Sequence, residues 1–281
     1  MVKDYIEVLK PRQSSLLTFI GICAAIIAGD GHPPLNLLFL ALITILLATA
    51  GANGLTNYLD RDVDARMRRT QNRALPSKRI YPPQKVLPLT IGLVIIGLVL
   101  AWQLHPLCFL FDIIGTTAAV VWRKRATCVF PQGVLAACAP VLMGWFAIKP
   151  TFGWEILLLC ILIAIWLPLH VWSVMVANRE DYLGAGLSYF PMSREASEAV
   201  KVLLVFSLML YAASITLYLI GSFAWLYLVL ANLLGIVMVY ASSRLVISSS
   251  SRNAWRLYRL SAFPYLGLIF LTMCLDIWLL K

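Results

Sequence analysis

The chain has 281 residues, of which 61% are hydrophobic and only 13% charged, with a mean hydropathy of +0.84 and a formal net charge of +10. That balance excludes a water-soluble globular domain and points to an integral membrane protein. The positive charge does not argue for a nucleic acid partner, because basic residues gathered on one rim of a membrane protein are accounted for by anionic lipid headgroups.

The first ten residues carry Lys3, Asp4, Glu7 and Lys10 without an apolar run. They predict an amphipathic segment over 1–12 lying at the membrane interface, and no cleavable signal peptide. Nine apolar stretches follow, roughly at 13–29, 35–56, 84–103, 106–122, 133–149, 154–177, 199–219, 222–243 and 260–280, each near the ~20 residues needed to cross a bilayer. The expectation is an all-α membrane protein of nine transmembrane helices, forming a single polytopic domain over 1–281. Gly51, Gly54, Pro140, Gly144 and Pro168, inside these stretches, suggest close helix contacts or kinks around a central cavity.

With the N-terminus inside, every one of the 23 basic residues except Lys149 and Lys281 falls on an inner segment. That asymmetry predicts a cytoplasmic N-terminus. The outer loops are then short, and the inner loops at 57–85, 123–132 and 178–198 carry the polar residues, so function is expected to face the cytoplasm. Six cysteines (23, 108, 128, 138, 160, 274) form no Cys-x-x-Cys pair and read as small packing residues.

Three clusters carry chemistry. The second stretch ends in Asn57-Tyr58-Leu59-Asp60-Arg61-Asp62-Val63-Asp64. Acids this close to a bilayer are costly and mark a site. Asn57, Asp60 and Asp64 recur at i, i+3 and i+7, so they share a helix face with Asn53 one turn deeper, whereas Asp62 points away and is expected to pair with Arg66. Oxygen ligands so spaced suit Mg²⁺ bridging to phosphate oxygens. Arg69 and Arg73 then supply planar forks for a diphosphate. Lys124 and Arg125, within Arg123-Lys124-Arg125, either extend that cationic surface or anchor the helix at the inner headgroups. The third cluster is His170 and Trp172, followed by Asp181 and Tyr182; Asp181 could complete a second metal position. Asp112 lacks an obvious mate, His105 being one option.

At these residues the chain resembles a known family. Asp60-Arg61-Asp62-Val63-Asp64 followed by Arg69-Thr70-Gln71-Asn72-Arg73 is similar to the first signature of the UbiA-type intramembrane prenyltransferases. The form is nearest to their haem O synthase (protohaem IX farnesyltransferase) branch. His170-Val171-Trp172, Asp181-Tyr182, Ala185 and Pro191 resemble that branch's second signature. There are departures: Thr56, Ala74 and Lys78 stand where the superfamily usually has Asn, Pro and often Gly. Asn178, Glu180 and Ser188 stand where the branch commonly has Arg, Lys and Pro.

The resemblance implies a UbiA-like helical bundle and Mg²⁺-dependent transfer of a farnesyl group from farnesyl diphosphate to a vinyl group of haem b, giving haem O. Asp60, Asp64, Asn57 and Asp181 would hold metal and Arg69 and Arg73 the diphosphate, while His170, Trp172 and Tyr182 would line the substrate site. It leaves open a haem A synthase or a terminal oxidase assembly partner. A quinone precursor or another lipid acceptor is the alternative, motivated by the altered 178–188 loop. A transporter using the acids as an ion site is a rival of another class, opposed by how few charges (Asp112 and His170) lie deep.

Overall fold

In a lipid solvent every backbone N–H and C=O must be satisfied within its own segment, so long apolar stretches become helices. The computed structural model describes residues 2–121, 129–221 and 223–280, and among these residues the regular structure is helical throughout. In chain order the α-helices are α1 (Val2–Val8), α2 (Pro11–Ala28), α3 (Leu35–Asp64), α4 (Leu87–Leu104), α5 (Pro106–Val120), α6 (Gln132–Ile148), α7 (Trp154–Ala177), α8 (Arg179–Gly184), α9 (Ala196–Ile220), α10 (Trp225–Ile247), α11 (Ser251–Leu260) and α12 (Leu268–Leu280). A 3₁₀ turn, Pro83–Val86, leads into α4, and a kinked segment, Ser261–Gly267, with non-helical backbone at Ala262 and Pro264 within it, joins α11 to α12.

Eight of the expected apolar stretches each overlap one α-helix, and the ninth, 260–280, runs through the kinked segment into α12. Seven helical segments are long and apolar enough to cross a membrane, while α5 and α6 are shorter apolar helices. Two elements were not anticipated. The basic segment after α10 forms α11, and the 178–198 loop begins with the short helix α8. Lys124 and Arg125 lie outside the described residues.

The helices neighbour one another in a closed circuit: α2, α3, α4, α5, α6, α7, α9, α10, α12 and back to α2, with α2 also crossing α6. That crossing depends on paired glycines. A Cβ on Gly144 would sit 1.8 Å from the Gly21 carbonyl oxygen, so only bare backbone lets the two axes approach so closely. Gly51 meets Thr90 and Val94 of α4 in the same way. Outward positions such as Phe39, Ile43, Ile95, Val99, Leu233 and Ile236 are large, apolar and exposed, as a lipid-facing surface requires.

α3 places the first cluster. At 30 residues and 1.5 Å per residue it is about 45 Å long, well beyond a ~30 Å hydrocarbon core. Its last turns, polar where the rest is apolar, therefore have length to spare beyond the hydrocarbon core. The five described cysteines are free, four of them buried, as packing residues would be.

Three local expectations change. Asp112 does not meet His105: its Oδ1 accepts from Thr116 Oγ1 at 3.1 Å, while the His105 ring accepts the Leu107 N–H and caps α5. Asp62 is exposed and lies 3.5 Å from Arg61 rather than pairing with Arg66. A further deep acid, Asp276 of α12, is fully buried. Its carboxylate accepts the Ala224 N–H and, at 2.9 Å, the Tyr227 N–H, capping the start of α10 from another helix.

Candidate functional site

One face of α3 carries Asn53, Asn57, Asp60 and Asp64, all buried, with Asp60 4% and Asp64 2% exposed. The i, i+3, i+7 spacing thus turns its oxygens inward, while Asp62, on the opposite face, goes to solvent. Asn53 Nδ2 donates to Ser14 Oγ at 3.0 Å, and Asn57 Nδ2 donates to the Val8 carbonyl at 2.7 Å. Asn57 Oδ1 is buried with no hydrogen-bond partner among the described residues. A buried acceptor left open in this way suits a cation or a donor supplied by a ligand.

Beyond α3 the chain folds back on itself. Thr70 Oγ1 donates to the Asp64 carbonyl at 2.9 Å, which closes the turn and swings Arg73 around to meet the Asp64 carboxylate at 2.9 Å. The N-terminal segment clamps the same loop from the other side. Glu7 accepts the Ala74 N–H at 3.1 Å and binds Arg79 at 2.6 Å, and Arg79 also pairs with Asp4 and donates to the Asn72 carbonyl. The Glu7 hydrogen bond raises the Arg79 guanidinium above its ordinary pKa, favouring its charged form in the clamp. α1, expected as an interfacial segment, is thereby tied to the site.

A cavity of about 570 Å³ lies between these parts, lined by Lys3, Glu7, Lys10, Arg12, Asn57, Asp64 and Arg73 among others. Four cations face two carboxylates there, a balance suited to an anion that brings its own counterion. Sequence reasoning missed Lys3, Lys10 and Arg12 as wall residues, because nothing in their spacing relates them to α3. Lys10 is held with φ +49°, a left-handed conformation unusual outside glycine, and its Nζ donates to Thr56 Oγ1 at 3.1 Å.

The two acidic signatures do meet. Asp181 Oδ2 accepts the Arg69 N–H at 3.1 Å, and the Arg69 guanidinium reaches the Tyr182 hydroxyl at 3.4 Å. Arg69 and Asp181 line a second cavity, of about 520 Å³, with Arg68, Asn178, Arg179, Glu180 and Ser251. Arg179 is spent on the Pro191, Met192 and Arg194 carbonyls and so shapes the loop after α8. Asn57, Asp64 and Arg73 thus line one cavity, and Arg69 and Asp181 the other. No group of three or more Asp, Glu, His or Cys side chains converges among the described residues.

The aromatic pair of the second signature lies deeper on α7. Trp172 packs edge-on against Phe190 and Phe206, with centroids 4.5 and 5.3 Å away. His170 is stacked between Trp166 and Tyr258, at 4.8 and 4.5 Å.

This geometry has known counterparts. Residues 15–268 match the model of the UbiA prenyltransferase family. The chain belongs to that family. Among its relatives, the protoheme IX farnesyltransferases of Desulforudis audaxviator and Gloeobacter violaceus are each 34% identical to it. The first alignment covers 99% of this chain and 89% of the relative, the second 98% and 92%. In fold, this UbiA family member is similar to a digeranylgeranylglyceryl phosphate synthase structure (TM-score 0.78, 16% identity, 98% of both chains). It is similar also to a UbiA homologue from Archaeoglobus fulgidus bound to GPP and Mg²⁺ (TM-score 0.68, 15% identity, 96% of this chain and 99% of that one). The resemblance read from the two signatures therefore holds over nearly the whole chain.

Proposed function

We infer that this protein is a membrane prenyltransferase that moves the farnesyl group of farnesyl diphosphate onto a vinyl group of haem b, making haem O. The observation that carries the reading is near-full-length similarity to protohaem IX farnesyltransferases, joined to the hydrogen bond from Arg69 to Asp181 that brings the two acidic signatures together.

The donor set fits a hard divalent cation. Mg²⁺ is ordinarily held by one or two carboxylates, with substrate phosphates and water completing its shell. Asp60, Asp64 and the open Oδ1 of Asn57 would hold it, with Asp181 serving a second position across the Arg69 turn. Held there, such an ion would supply charge neutralisation of the diphosphate and so a better leaving group. Arg69 and Arg73 stabilise charge on the departing oxygens. Arg73 is already oriented by Asp64, and Arg69 by Tyr182. Lys124 and Arg125 extend the cationic surface in this reading. Apolar walls shield the allylic cation from water and accommodate the prenyl tail. Trp172 and Tyr182 border the acceptor side.

The membrane arrangement goes with it: one polytopic unit of nine spans around a central cavity, α5 and α6 included, with the N-terminus and acidic loops cytoplasmic. Near-exclusive placement of basic residues on one set of loops supports this. The test is direct. Membranes containing the protein, given farnesyl diphosphate, haem b and Mg²⁺, should yield haem O by mass, and EDTA should stop it. Prenylation of a quinone precursor with no haem O would overturn the acceptor, and no prenyl transfer at all would overturn the reading.

A further inference from the structure

The hydrogen bonds around His170 define which ring nitrogen carries its proton. Ser261 Oγ donates to the Tyr258 carbonyl at 2.9 Å, and the same oxygen lies 2.9 Å from His170 Nδ1. A serine hydroxyl has one hydrogen, so both contacts are satisfied when Nδ1 carries the proton and donates to Ser261. With the proton on Nδ1 a neutral ring keeps its Nε2 lone pair, and no hydrogen bond to Nε2 is seen among the described residues. The ring is also fixed in plane. Trp166 and Tyr258 stack on its two faces, and Trp166 Nε1 ties itself to the Ser261 carbonyl at 2.5 Å. Ser261 begins the segment that kinks between α11 and α12, with Ala262 outside helical geometry and Pro264 two residues on.

An imidazole whose Nδ1–H is anchored and whose Nε2 is bare has the arrangement that metal-ligating histidines use, the anchoring bond setting tautomer, orientation and basicity. We propose that His170 Nε2 is an axial ligand to the iron of the acceptor haem, with Ser261 as its positioning residue. The proposal rests on the haem O reading above. It deepens that reading by seating the acceptor against α7 rather than at the Asp64 cavity. His170 stands seven residues, about 10 Å, from the end of α7, beyond which Tyr182 meets Arg69. Ligation there holds the porphyrin beneath the place where the diphosphate departs. The ligand bond forms by donation of the Nε2 lone pair to iron, and no proton or electron is transferred.

The experiment is haem b titration of the full-length protein in lipid nanodiscs, followed by absorption and resonance Raman spectroscopy. The wild type should show an iron–histidine stretch in the ferrous state. His170→Ala should lose that band and bind haem at least about tenfold more weakly, with added imidazole restoring it, while still binding farnesyl diphosphate. Ser261→Ala should weaken haem binding about tenfold, as loss of such an anchoring bond commonly does, and Ser261→Thr should recover it. A wild-type ferrous spectrum without the histidine band overturns the proposal whatever the variants do, as does an unchanged spectrum and affinity in His170→Ala. If the wild type makes haem O with either of those results, only the ligand assignment falls. If the wild type neither binds haem nor makes haem O, the functional reading falls with it.

Discussion

The C-terminal helices and the C-terminal end of α3 both bury polar groups, and they treat them in opposite ways. Among α9, α10, α12 and the Ser261–Gly267 segment that leads into α12, the groups answer one another. Ser207 meets Ser242 at 2.5 Å, Tyr265 meets Ser214 at 2.7 Å, Tyr227 donates to the Ser214 carbonyl at 2.9 Å, and Asp276 takes two backbone N–H groups. Each is a closed network that fixes helix against helix. At the C-terminal end of α3, cations and acids are crowded beside a cavity, Asn57 Oδ1 is left open among the described residues, and two lysines in the surrounding loops adopt left-handed backbone. Polar burial that is complete within the protein is structural, whereas burial left incomplete is prepared for something that arrives.

The sharpest way to break this contrast is Asp64→Ala. It removes both a proposed metal ligand and the partner of Arg73, so haem O formation should fall about a thousandfold while the protein remains folded in membranes. Near-normal turnover with Mg²⁺ present would make the α3 acids structural after all. Asp276→Ala is the mirror experiment. Two N–H groups at the start of α10 lose a charged acceptor in an apolar setting, a loss of about 3 kcal/mol that should appear as a lowered unfolding midpoint in detergent. The fraction that stays folded should keep its turnover, and a specific loss of kcat there would remove the distinction between the regions.

Smaller effects refine the picture. Arg69→Ala should raise the KM for farnesyl diphosphate about tenfold, the 1.4 kcal/mol scale of one lost charged contact, and unchanged KM and kcat would count against its role. Lys78 has φ +59°, a left-handed conformation that favours glycine. Lys78→Gly should therefore stabilise the protein by about 0.5–1 kcal/mol, read as a slightly higher unfolding midpoint. A lower midpoint would mean that the lysine side chain offsets its own backbone strain.

Much of this was legible before any coordinates. Hydropathy and helical periodicity are local properties, so the apolar helices, the shared face of Asn57, Asp60 and Asp64, and the outward turn of Asp62 could be read from the residues alone. The close crossing at Gly144 was also visible as a small residue in an apolar run, though not its partner, Gly21. The fate of Asp112 and the capping role of Asp276 were not legible. A buried carboxylate's partner can come from any element, and spacing says nothing about which one.

Order along the chain thus determined the membrane-protein class, the helices and the family signatures, because lipid solvation and a 3.6-residue turn act on neighbouring residues. Only the tertiary structure decided that α1 clamps the site, that Asp181 accepts from Arg69 across 112 residues, and that Ser261 anchors His170 across 91. Those bonds join segments whose proximity is set by helix packing, and packing follows the shape of whole faces, with bare glycine against glycine at its tightest point.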